Sequence, residues 1–235
     1  MSRHNVLDFC KLSVAVGGAQ IEPHFTYLRG LADLLSRSGR YMVCWVRIFY
    51  ATVWIEPNRD YIKFMFRGRP RIFSRAEIAD ALGVDLNDTR LHELAYPGAI
   101  PPRHARCGSV LPPFERVSIC YRQPFLPESS RAPTKLTTEA RVVHNALRRS
   151  LLPRMGGGEA VTSIQQWLLL HILSHTPFDI VDFLLCGVEE SIADGVKAGR
   201  QQPYAHIISY LLDRAIVQHL QNLPRHGPAY SATCY

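Results

Sequence analysis

Apolar positions recur along this chain with two periods, and the switches between them divide it into elements. From His24 to Ser36 the apolar residues Phe25, Leu28, Leu31 and Leu35 fall near helical spacing, and Ser38 and Gly39 end the run. Tyr41 to Val53 carries Val43, Val46, Phe49, Tyr50 and Val53 on one side. This reads as a second helix, with strand as the rival because of its β-branched and aromatic content. After a turn at Pro57 and Asn58 the period drops to two. Ile62, Phe64 and Phe66 alternate with Lys63, Met65 and Arg67, Gly68 supplies a turn, and Arg69 to Phe73 returns as the second strand of a hairpin. Ser74 and Glu77 then form a capping box for a short helix that buries Ile78, Ala81 and Leu82 and stops at Gly83.

The helical period returns at residue 137. Thr137 or Thr138 caps a helix whose Val143, Ala146, Leu147 and Leu151 share a face, and Pro153 closes it. Thr162 and Gln165 make a second capping box before the apolar run ending at Leu173. Pro177 separates this run from a helix over Ile180 to Val196. Pro203 opens a last helix over Tyr204 to Leu220, with Ile208, Leu211, Leu212, Ala215 and Ile216 inward. Between the two helical regions lie eight of the sixteen prolines, from Pro97 to Pro133. Proline removes backbone donors and disfavours helix at the residue before it. The segment therefore reads as a long irregular surface connection with at most one short strand, Val117 to Tyr121. The expected fold is mainly α: a single helical domain with a small β-hairpin and a long proline-rich surface loop. An N-terminal lobe spans about 20–95, the proline-rich connection 96–134 and a C-terminal helical lobe 135–221, with a loose tail over 222–235.

Composition changes this picture little. Hydrophobic residues make up 47% and charged residues 20% of the 235, which excludes a disordered chain and supplies a sizeable core. The net charge of +7 favours acidic partners and also keeps a protein in solution. The six cysteines are scattered without a CxxC pair, as expected for small hydrophobes in a reducing compartment. The apolar run from Trp167 is interrupted by His171 and is far shorter than the ~20 residues a membrane span needs. Cytoplasm or nucleus is the expected location, with a weak organelle signal left open by the N-terminal sequence.

Two stretches bear on nucleic acid. Lys63, Arg67, Arg69 and Arg71 lie among Tyr61, Phe64, Phe66 and Phe73, and a single-strand binder uses such cations for phosphates and such rings for bases. A half-buried hairpin with its arginines outward gives the same pattern with no ligand. On the helix from Glu139, Arg141, His144 and Arg148 recur at helical spacing with Arg149 beside them, as a basic face opposite Val143 and Leu147.

Other constellations are incomplete. FSRAEIADALGV fits the first helix and turn of a helix-turn-helix, but Thr89 and His92 stand where its second helix needs apolar residues. His171 and His175 have the i, i+4 spacing of zinc ligands, yet Ile172 occupies the place of the glutamate a metalloprotease needs, and His171 reads as buried. His104, Cys107 and Cys120 lack a fourth metal ligand. Gly156 to Ser163 lacks the GK[ST] ending of a phosphate loop, and no nucleophile elbow occurs. No cofactor or metal is expected.

VRIFYATVWI (Val46–Ile55), FMFRGRPRIFSRAEIADALGV (Phe64–Val84) and LTTEARVVHNALRRSLLP (Leu136–Pro153) together resemble, in order and wording, the plant transposon protein domain of retroelement-derived open reading frames. The likeness runs over roughly Tyr41 to Leu212 and rests on apolar and aromatic positions. It implies a stand-alone derivative of such an element and transfers no catalytic residue, since that family carries no established catalytic motif. The expected function is a non-enzymatic protein-interaction module, partnered by a host or element-encoded protein. The alternative is nucleic-acid binding through the hairpin and the basic helix.

Overall fold

The computed structural model describes residues 2–3, 21–36, 40–86, 118–122, 132–151, 161, 163–193 and 204–221. In chain order the elements are β1 (Ser2–Arg3), α1 (Pro23–Thr26), α2 (Leu31–Ser36), β2 (Arg40–Tyr41), α3 (Val43–Thr52), β3 (Trp54–Ile55), β4 (Tyr61–Phe66), β5 (Arg69–Ser74), α4 (Arg75–Leu82), α5 (Thr138–Arg149), α6 (Ser163–Leu173), α7 (Ile180–Ala193) and α8 (Ala205–Gln221). The fold is mainly α with a small antiparallel sheet, as the periodicity predicts. That sheet has the order β3-β4-β5, and β1 pairs separately with β2.

Three expectations need correction. The helix over His24 to Ser36 is two helices, broken where Gly30 takes φ 82. A Cβ there would sit 1.9 Å from the Gly83 carbonyl oxygen, so the left-handed turn lets the α2 start press against the end of α4. All four of the expected apolar residues, Phe25, Leu28, Leu31 and Leu35, are nevertheless buried, because the pattern survives the break. Next, the hairpin has a third strand: Trp54 and Ile55, which lie between the expected helical run ending at Val53 and the Pro57 turn, pair with β4 as β3. Finally, Ser118–Cys120 is a 3-10 turn rather than part of a strand, and among the described residues of that stretch Tyr121 alone bridges, to Leu136. At the far end of the proline-rich connection Pro133–Lys135 is another 3-10 turn, while its residues 96–117 and 123–131, the second half of the helix-turn-helix candidate, His104, Cys107, Thr162 of the second capping box and the tail lie outside the described residues.

Two of the described helices are capped as the sequence encodes. Ser74 accepts from the Glu77 amide, and Glu77 accepts from the Ser74 amide at 2.9 Å, while Gly83 ends α4 with φ 71. Thr137, not Thr138, caps α5 by accepting from the Ala140 amide at 3.1 Å. α3 rather than a strand forms over Val43–Thr52, with Val46 and Phe49 buried on one face while Ile48 is left exposed. Phe49 and Trp45 from that face meet Phe64 and Phe66 of β4, with ring centroids 5.1 and 5.0 Å apart. α8 packs on α3 and α4, and α5 on α6. The buried apolar side chains form one continuous core, from Ile21 through the sheet to Ala215.

A buried ionic cluster ties the sheet to α7. Arg59, in the turn before β4, is only 4% exposed and has φ 58. Its guanidinium donates to Glu189 at 3.0 Å and to Asp182 at 3.4 Å. Arg75 at the start of α4 donates to Asp179, whose other carboxylate oxygen caps α7 by accepting from the Asp182 amide at 2.9 Å. Two guanidiniums and three carboxylates thus join a loop, a helix start and a helix face.

Candidate functional site

The sheet register decides which side chains meet a partner. Arg67 and Gly68 form a two-residue turn with φ 51 and 70, the left-handed pair of a type I′ hairpin. This fixes Phe66 opposite Arg69, Phe64 opposite Arg71, Lys63 opposite Ile72 and Ile62 opposite Phe73. Cross-strand partners share a face. Ile62, Phe64, Phe66 and Phe73 point to the core, and α3 packs against β4 there.

The other face carries Trp54, Lys63 and Ile72 in one row across the three strands, flanked along them by Tyr61 and by Met65 with Pro70. Trp54 is 48% and Ile72 57% exposed. A sheet with one face in the core ordinarily shows polar residues on the other. Here both faces are apolar, and among the described residues nothing covers the second. Among the described residues Lys63 is the single cation on that face. The ammonium stands 5.3 Å from the centroids of both Trp54 and Tyr61, whose rings are 5.7 Å apart.

The expected nucleic-acid contacts do not gather on this face. Arg67 sits at the turn, over the Trp45 and Phe66 rings at 5.7 Å. Arg69 and Arg71 belong to the core-facing side with Phe66 and Phe64, and Arg71 is half-buried. The rings that were to stack bases, Phe64, Phe66 and Phe73, are buried. On α5, Arg141 is exposed and Arg148 half-buried, and Arg149 is the last helical residue. His144 is not on that face: it is buried and contacts Gln165 of α6 at 3.3 Å. The exposed Trp54 and Ile72 were the residues sequence reading missed. The turn length held the signal, since a two-residue turn at Arg67–Gly68 sets Ile72 beside Lys63.

A second polar arrangement joins α1, α5 and the turn after α6. Glu139 Oε1 lies 2.6 Å from His24 Nε2, and His24 Nδ1 lies 3.1 Å from His175 Nε2. Tyr27 stacks on His175 at 5.3 Å, and its hydroxyl donates to the Thr176 carbonyl. The two imidazoles satisfy each other, so this is a hydrogen-bonded chain holding three elements together. His171, in contrast, is buried, and α6 ends at Leu173, so His171 and His175 do not share a helix face. Among the described residues no group of three or more side chains is placed to hold a metal. Nor is Cys120 an available nucleophile: burial pushes its thiol up to about 12, so it stays protonated at neutral pH. No described helix is long and apolar enough to cross a membrane.

No family model matches this chain, and neither a curated protein nor a solved structure does.

Proposed function

We propose that the protein is a non-enzymatic protein-interaction module that docks a partner on the outer face of the β3-β4-β5 sheet. The observation that carries this reading is the exposed row of Trp54, Lys63 and Ile72 on a sheet whose opposite face is already filled. Large exposed apolar side chains at the centre of a patch are what binding hot spots use. Descent from a plant retroelement reading frame, on the segments quoted above, and action in the cytoplasm or nucleus belong to the same proposal. The partner is then a host or element-encoded protein. Affinity capture from nuclease-treated extract tests it. Wild-type protein retains a defined partner, and Trp54→Ser combined with Ile72→Ser loses it while keeping the helical circular dichroism spectrum. Capture unchanged by the double substitution overturns the reading.

One observation favours a second reading, nucleic-acid binding: Lys63 stands between two accessible rings on a chain of net charge +7. It ranks second because Arg69 and Arg71 lie on the other side of the sheet from those rings. If it holds, Lys63→Ala with Arg67→Ala weakens binding to single-stranded DNA or RNA, and affinity falls steeply with salt. No mobility shift with either polymer at low salt removes it.

A further inference from the structure

The chemistry of the docking face specifies its partner, and this inference rests on the interaction reading above. We infer that the partner presents an acidic side chain flanked on both sides by apolar ones. The argument is charge complementarity within a defined row. Lys63 occupies the middle strand, with Trp54 on one neighbour and Ile72 on the other. Among the described residues no carboxylate reaches Lys63, and its ammonium has only the two ring faces for company. A partner that covers Trp54 and Ile72 also takes water from Lys63. Desolvating a cation without a counter-charge is costly, so the covering surface must bring a carboxylate to that point. On either side the same surface meets indole and isoleucine, and along the strand it meets Tyr61 and Met65. Those positions call for apolar side chains.

The same argument disfavours a second copy of this chain. Two-fold pairing of the face on itself brings two Lys63 ammoniums into one dry patch, and none of Trp54, Tyr61, Met65, Pro70 and Ile72 offers a carboxylate. It also disfavours a polyphosphate strand, which would bring several charges to a row holding one cation.

A phage-displayed library of random peptides, selected against the full chain, is the probe. Wild-type protein should enrich peptides with Asp or Glu between apolar or aromatic residues. Lys63→Glu, an exposed substitution, should enrich Lys or Arg at that place and should bind the wild-type-selected peptides about tenfold more weakly or worse. Circular dichroism of Lys63→Glu matching wild type shows that the fold is kept. Peptides that depend on Trp54 and Ile72 but carry no acidic residue, or the same motif from both proteins, would overturn the inference and leave the docking face standing. Peptides indifferent to Trp54→Ser and Ile72→Ser would overturn both. Concentration-dependent dimers that disappear on Ile72→Ser would assign the face to a second copy and also overturn it.

Discussion

Single residues in this molecule differ sharply in how replaceable they are, and two glycines with similar backbone angles show why. Gly30 and Gly68 have φ 82 and 70. At Gly68 an added Cβ meets nothing within 4 Å, so Gly68→Ala carries only backbone strain, about 1 kcal/mol. At Gly30 it would strike the Gly83 carbonyl, which is backbone and has no rotamer to yield. Gly30→Ala should therefore cost about 2–4 kcal/mol, and urea unfolding of the two variants side by side checks the difference. The Gly68 turn was legible from the alternation around it. Gly30 was not, because its constraint comes from a carbonyl more than fifty residues away in sequence. Arg59 is a similar case. Nothing near it in sequence marks it as buried, since Asp182 and Glu189 reach it from α7. Arg59→Ala leaves Asp182 buried with one cation fewer and should destabilise by about 3–5 kcal/mol in the same measurement.

At the scale of elements, local codes were read correctly where they are local. The Ser74–Glu77 box is closed by residues three apart, so it needs no tertiary information. Ser74→Ala should cost about 1 kcal/mol, seen as a lower urea midpoint with an unchanged slope. The elements that escaped were two residues long or interrupted from outside. β3 is a strand only because Trp54 and Ile55 pair with Lys63 and Ile62, and no propensity distinguishes those two residues from the end of α3. The basic face of α5 was read from helical spacing alone. Spacing placed Arg141 and His144 together, but three residues still leave them about 60° apart around the helix, and the neighbouring α6 claims His144 for the interior. The outer sheet face stands between these cases. Its residues were all in view and its register followed from the turn, yet its exposure depended on which side α3 would cover.

For the whole molecule, the packing of the 118–122 strip against the C-terminal helices links alkaline stability to burial. Arg122 donates to the Lys135 carbonyl at 2.8 Å, Thr137 to the Cys120 carbonyl at 3.0 Å, and Gln166 of α6 to the Tyr121 hydroxyl at 2.8 Å. Burial raises the Cys120 thiol from 9.0 to about 12. It also raises the Tyr121 hydroxyl from 10.0 to about 12, against a smaller lowering from Gln166. Both groups ionise first in the unfolded chain, which then binds fewer protons than the folded one. Stability is therefore whole below pH 9.0 and falls as pH rises towards about 12, where the folded groups ionise too. Each group contributes a slope of about 1.4 kcal/mol per pH unit while only its unfolded form is ionised. Burial raises Tyr27 and Tyr50 in the same direction and steepens the loss at the alkaline end. Urea midpoints taken across this window should fall steadily for the wild type. Cys120→Ala should start from a lower midpoint, because it leaves a cavity, but should decline less steeply from pH 9.0 upward. A parallel decline in the two proteins would mean that the thiol is solvated in the folded state, and that the 118–122 strip does not dock on the helices as described.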